Sequence, residues 1–242
     1  MADAEMNPIP PAGSDLPVRT ATAIIMLAVL GFAFWHGGWV LDVLILLVGA
    51  ATFWEWQRLV RKWQSEAKGR ALWVVIGAIY IGGVTALLMA VHSVIVALIV
   101  GVTVATDTGA YLIGRKFGNR KIAPRISPSK TWAGLYGGMA GAALFMGAVG
   151  WFAASAAQAM AKTETAYGFL PMIAGAAAIG LPLAVAAQAG DFFESWLKRR
   201  AGVKDSSRWL PGHGGIFDRV DGMLPVALIV GMVAVATRDG LV

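Results

Sequence analysis

Carboxylates, cations and glycines crowd the stretch from Ser195 to Asp221. Its turn Pro211-Gly212-His213-Gly214-Gly215 lets the backbone adopt positive φ, approach a ligand closely and present N–H groups to anions. Asp218 and Asp221 follow at a spacing that puts both on one helical face, suited to sharing a hard cation. Lys198, Arg199, Lys204 and Arg219 are spaced to surround a polyphosphate. Together these residues point to Mg²⁺-dependent phosphoryl or nucleotidyl transfer.

A second set of acids lies where acids are expensive. Asp107 sits about two turns inside an apolar run, and Asp191 and Glu194 sit in another. Each such acid costs about 2.5–3.5 kcal/mol at the centre of a membrane helix. Asp191, Glu194, Ser195 and Lys198 fall on one helical face, and Gln188 extends that face one turn deeper. Such a stripe must face a bundle interior or a wet cavity. Asp42, beside Trp39, and Glu55, between Trp54 and Trp56, read instead as span-end residues at the membrane interface. His36 and His92 read the same way.

Composition defines the elements that carry these groups. Of 242 residues, 57% are hydrophobic and 14% charged, and the mean hydropathy is +0.66. A soluble domain carries about 25% charge. The chain is therefore expected to be an all-α, polytopic membrane bundle. The absence of cysteine excludes thiol catalysis, Cys-ligated zinc and iron–sulfur clusters. Apolar runs at about 18–35, 39–56, 71–91, 93–113, 131–157, 168–197 and 220–237 predict seven spans. Pro171 and Pro182 make a kink in the sixth plausible. The organisation expected is a disordered tail over 1–18, membrane helices over 19–106, and a catalytic membrane region over 107–242 with loops 114–130 and 198–219.

Eighteen of the 20 Lys and Arg fall on one predicted side, leaving Lys162 and Arg238 on the other. That bias predicts a cytoplasmic N-terminus, with both long loops facing the cytoplasm of a cell (inner) membrane. The net charge of +6 suits anionic lipid rather than nucleic acid, because apolar spans interrupt the basic residues.

The run S-x-x-K-R-x4-K-D-x6-G-H-G-G-x2-D-R-x-D, from Ser195 to Asp221, resembles the signature of the phosphatidate cytidylyltransferase (CDP-diacylglycerol synthase) family. So does a second segment: Asp107-Thr-Gly-Ala-Tyr111, then Gly114 to Gly118, then Ser127-Pro-Ser-Lys130-Thr131-Trp132-Ala-Gly134. The resemblance covers about residues 107–237, and the earlier spans match only as generic apolar helices.

The resemblance implies the reaction of CTP with phosphatidic acid to give CDP-diacylglycerol and pyrophosphate. It places Mg²⁺, alone or with a second cation, on Asp191 and Asp218, with Asp221 next. Lys198, Lys204, Arg219 and Lys130 are assigned to phosphates, and His213 to orienting a phosphate or the loop. Asp107, Ser195, Arg199, Gly212, Gly214 and Gly215 complete the expected substrate contacts. Asp205 is open between a salt bridge to Lys204 or Arg208 and a catalytic role. The expected partners are CTP, phosphatidic acid and membrane lipids; homodimer formation stays open.

Two other readings compete. A CTP-dependent polyprenol or phytol kinase would transfer the γ-phosphate and release CDP. A secondary transporter would use the intramembrane acids Asp107, Asp191 and Glu194.

Overall fold

A computed structural model describes residues 16–161 and 169–238, so most of the predicted tail lies outside the described residues. The helices are α1 (Leu16–His36), α2 (Gly38–Trp63), α3 (Ala67–Ala90), α4 (Ser93–Phe117), α5 (Trp132–Ala161), α6 (Phe169–Arg200), α7 (Phe217–Val220) and α8 (Met223–Arg238). Among the described residues, six helices are long and apolar enough to cross a membrane, and α8 is a shorter apolar helix. The fold is the expected polytopic helical bundle.

Small residues set its central packing. A Cβ on Gly109 of α4 would lie 2.3 Å from the Gly137 carbonyl, and one on Gly137 of α5 would lie 2.5 Å from the Gly109 carbonyl. Farther along, a Cβ on Gly141 would lie 2.4 Å from Ala105 O. Only hydrogen atoms fit between these backbones. Such close approach is how membrane helices gain van der Waals contact without a hydrophobic driving force. The α5–α6 contact repeats the device, with Gly180 against the Ala142 carbonyl and Gly150 against Ala176. At one end of the bundle, Trp56, Leu59, Leu197 and Phe217 form part of the buried core.

Three departures from the sequence expectation occur at that end. The expected loop 114–130 begins as the last turn of α4. It continues as an antiparallel ladder of β1 (Lys121–Ala123) and β2 (Ser127–Thr131), with Lys121 opposite Thr131 and Ala123 opposite Ser127. Pro128 is tolerated because this strand has only one hydrogen-bonded neighbour. Second, α6 continues to Arg200, so Lys198 and Arg199 are helical rather than part of the loop. Third, the predicted last span divides into α7 and α8 at Asp221–Gly222. A helical Pro225 has no N–H for the Asp221 carbonyl, and its ring would strike it. That carbonyl instead packs on Gly190, where a Cβ would approach it to 2.2 Å.

Glu55 corrects the sequence reading most sharply. It is not a snorkelling interface residue: it is fully buried. Neighbouring Trp56 is also fully buried, and its indole Nε1 donates to Trp73 O at 2.8 Å.

Candidate active site

The polar stripe of α6 faces a cavity of ≈ 780 Å³ at the basic end of the bundle. Gln188, Asp191, Glu194, Ser195 and Lys198 all line it, as their helical spacing requires. Asp107 enters from α4, Lys130 from β2, Asp218 and Arg219 from α7, and Asp221 from the turn before α8. The small residues Gly114 and Gly134 line it as well.

All three ion pairs among the described residues lie in this cavity. Lys130 binds Asp191, while Lys198 contacts Glu194 at 2.5 Å and Asp218 at 2.6 Å. The hairpin therefore delivers an ammonium to one aspartate, and α6 delivers one to the other. Glu194 is almost wholly buried, and neither of its oxygens has an aligned hydrogen-bond donor; the Lys198 ammonium supplies its compensating charge. Removing one partner from such a buried pair leaves an uncompensated charge, typically destabilising by about 3–5 kcal/mol.

Asp218 is also held from above. Its Oδ2 accepts from Ser206 N at 2.9 Å, Ser206 Oγ at 2.8 Å and Gly215 N at 2.7 Å. Burial pushes this carboxyl up, but the Lys198 ammonium and the Gly215 N–H beside it hold it down at about 2. It is a carboxylate across the physiological range. Asp191 has a different constraint, because a Cβ on Gly222 would lie 2.7 Å from its Oδ1. Gly222 thus leaves room for that carboxylate.

Not every predicted residue reaches the main cavity. Lys204, Gly212, His213 and Gly214 line a second, smaller cavity beside it, and Arg219 lines both. Gly215 acts through its backbone on Asp218. Arg199 is exposed and donates from Nε to Ile126 O at 3.3 Å, tying α6 to the hairpin. Asp205 lines the smaller cavity and forms no ion pair with the described Lys204 or Arg208.

The loop 201–216 is fixed by residues that the sequence reading missed. Glu55 Oε1 accepts from Ser207 Oγ at 2.5 Å and Ile216 N at 3.0 Å; Oε2 accepts from Phe217 N at 2.7 Å and lies 2.8 Å from Ser206 Oγ, whose one proton it shares with Asp218. One α2 carboxylate thereby ties both ends of the glycine turn. Arg58, from the same helix, donates to Ser206 O at 3.2 Å, and Trp54 stacks on Trp209 at 4.5 Å. The pair of serines after Asp205, with their free hydroxyls, was the available signal for a buried acceptor.

Mg²⁺ takes oxygen ligands, often one or two carboxylates with substrate phosphates and water. The donor set here fits: Asp191 and Asp218 are carboxylates on one cavity, each already compensated by a positive charge. Among the described residues, no three or more His, Asp or Glu converge as a complete protein cage. An ion here would draw its remaining ligands from elsewhere.

The sequence pattern of the cytidylyltransferase family matches residues 90–236. Among curated proteins, a phosphatidate cytidylyltransferase of Brucella suis biovar 1 (strain 1330) is 30% identical, over 90% of this chain and 92% of its own length. One from Bacillus subtilis (strain 168) is 42% identical over 50% of this chain and 39% of its own length. Another, from Haemophilus influenzae (strain ATCC 51907 / DSM 11121 / KW20 / Rd), is 40% identical over 49% of this chain and 38% of its own length. A match over more than half the chain, which includes every charged residue lining the main cavity, means that the chain belongs to the cytidylyltransferase family.

Proposed function

We propose that the protein transfers a cytidylyl group from CTP to phosphatidic acid, forming CDP-diacylglycerol and releasing pyrophosphate. The observation that carries this reading is the single cavity in which Asp191 with Lys130 and Asp218 with Lys198 line the same space. Two anionic substrates need positive charge to meet, and the cavity supplies it from Lys130, Lys198 and Arg219.

The chemistry needs no side-chain nucleophile. An ionised oxygen of the lipid phosphate forms a bond to the α-phosphorus of CTP. The bond from that phosphorus to the bridging α–β oxygen breaks, and pyrophosphate leaves with the electron pair. Mg²⁺ held by Asp191 and Asp218, with Asp221 next, would supply charge neutralisation at the phosphates. The ammonium groups of Lys130 and Lys198 orient and neutralise phosphate oxygens, and Glu194 holds Lys198 in place. The 18-to-2 distribution of Lys and Arg supports a multi-pass protein of the cell membrane whose cavity opens to the cytoplasm. CTP would enter from that side and phosphatidic acid from the bilayer.

Purified protein incubated with phosphatidic acid, Mg²⁺ and CTP labelled at the α- or the γ-phosphate tests the reaction. The α-label is expected in the lipid product and the γ-label in pyrophosphate. A γ-label in the lipid would establish a kinase instead, and no lipid product from folded protein would overturn the reading.

A further inference from the structure

The smaller cavity, of ≈ 420 Å³, gathers four cations: Arg19 from α1, Lys204 and Arg208 from the loop, and Arg219 from α7. Among the described residues, Asp205 is the only carboxylate in its lining. None of the four cations forms an ion pair among the described residues. A concavity with this imbalance attracts a polyanion.

Its lining includes a contact that lies outside both the signature and the family match. A Cβ on Gly212, whose φ is +74°, would lie 2.5 Å from Arg19 Cγ. The Arg19 stem therefore lies directly on the glycine turn. Thr22, one turn along α1, donates to Pro211 O at 3.1 Å. Together they fix the Arg19 side chain at the cavity.

The partition between the two cavities is thin. Gly214, at φ +82°, lines the smaller one, and a Cβ there would lie 2.8 Å from Asp218 Oδ2. Arg219 lines both cavities and is braced by donating to His213 O from Nε at 3.1 Å and Nη2 at 2.8 Å. Arg219 therefore presents its charge both to the site beside Asp218 and to the second cavity.

We propose that this cavity binds the diphosphate end of the nucleotide and retains pyrophosphate as the leaving product, with Arg19 as one of its binding residues. The assignment rests on the cytidylyl-transfer reading and adds a location for the leaving group. The phosphate of an anionic lipid headgroup offers related chemistry, so the test must separate the two.

Arg19→Met keeps the aliphatic stem on Gly212 while removing the charge, Arg19→Lys restores a charge, and Arg208→Gln alters an exposed loop residue. Pyrophosphate binding to each purified protein is measured by calorimetry, with and without mixed micelles of phosphatidylglycerol. KM for CTP and for phosphatidic acid is measured in parallel. Arg19→Met and Arg208→Gln are each expected to weaken pyrophosphate binding and raise KM for CTP about tenfold. KM for phosphatidic acid should be unchanged, Arg19→Lys should recover most of the loss, and phosphatidylglycerol should not compete. Wild-type pyrophosphate affinity in both charge-removing variants would overturn the proposal, as would displacement of pyrophosphate by phosphatidylglycerol, which would mark a lipid site. If the wild type binds pyrophosphate through these arginines yet forms no CDP-lipid, the anion cavity stands and the cytidylyl-transfer reading falls.

Discussion

The segment from α4 to α8 supplies every residue lining the main cavity, whereas α1 and α2 touch the loop beside it. The first region holds two lysine–aspartate pairs facing the proposed chemistry. The second holds that loop in place through Glu55, Arg58, Trp54 and Thr22. A loop rich in glycine has a large conformational entropy to lose. Here that loss is offset by bonds from a helix outside the family-matched residues, not by the loop's own side chains alone. Chemistry and positioning are thus divided along the chain, and a pattern built on the chemistry misses the positioning.

The largest expected effects lie in the first region. Asp191→Asn and Asp218→Asn should each reduce turnover by far more than tenfold, the equivalent of about 1.4 kcal/mol of barrier. The double variant should be little worse than either single one, because in the proposed reaction the two carboxylates act as a unit. Turnover of the three purified variants checks this; more than a tenth of wild-type rate in either single variant removes that residue from the proposed metal site.

A smaller effect is expected beside the same site. Gly222→Ala places a methyl group against Asp191 Oδ1, at 2.7 Å before any relaxation. Turnover should fall about tenfold while the melting temperature drops by only a few degrees. An unchanged rate would show that Asp191 need not hold its observed position.

The smallest effect separates two acids of one helix. Asp42 and Glu55 both lie on α2 with tryptophan neighbours, and the sequence assigns them the same interfacial role. Glu55 is fully buried, whereas Asp42 is only half-buried and forms no ion pair among the described residues. Asp42→Asn should leave activity within about twofold of wild type and stability within about 0.5 kcal/mol. A loss comparable to that at Glu55 would erase the distinction between the two positions.

These contrasts show which features were legible in the sequence. The stripe of Asp191, Glu194, Ser195 and Lys198 was readable because helical periodicity and the cost of burying acids both act locally along one segment. The seven apolar runs were readable for the same reason. Glu55 was not, because its four partners lie more than 150 residues away and a Trp-flanked acid at a span end fits an interface equally well. The hairpin that carries Lys130 was hidden by its brevity, with strands of 3 and 5 residues and no extended alternation. The division of α7 from α8 did have a local cause in Pro225, masked by the continuous apolar composition around it.

Hydrogen exchange of the loop in Glu55 variants tests the positioning claim most directly. Glu55→Ala leaves two backbone N–H groups and the Ser207 hydroxyl without their acceptor, each worth about 1–3 kcal/mol if still buried, while Ser206 Oγ keeps Asp218 Oδ2. The account predicts much faster exchange across residues 206–217, unchanged exchange in α5, and at least a tenfold loss of turnover. Glu55→Gln, which keeps one acceptor oxygen, should fall between wild type and Glu55→Ala. Wild-type exchange of the Ile216 and Phe217 amides in Glu55→Ala would contradict the account, because the loop would then be held without the Glu55 carboxylate.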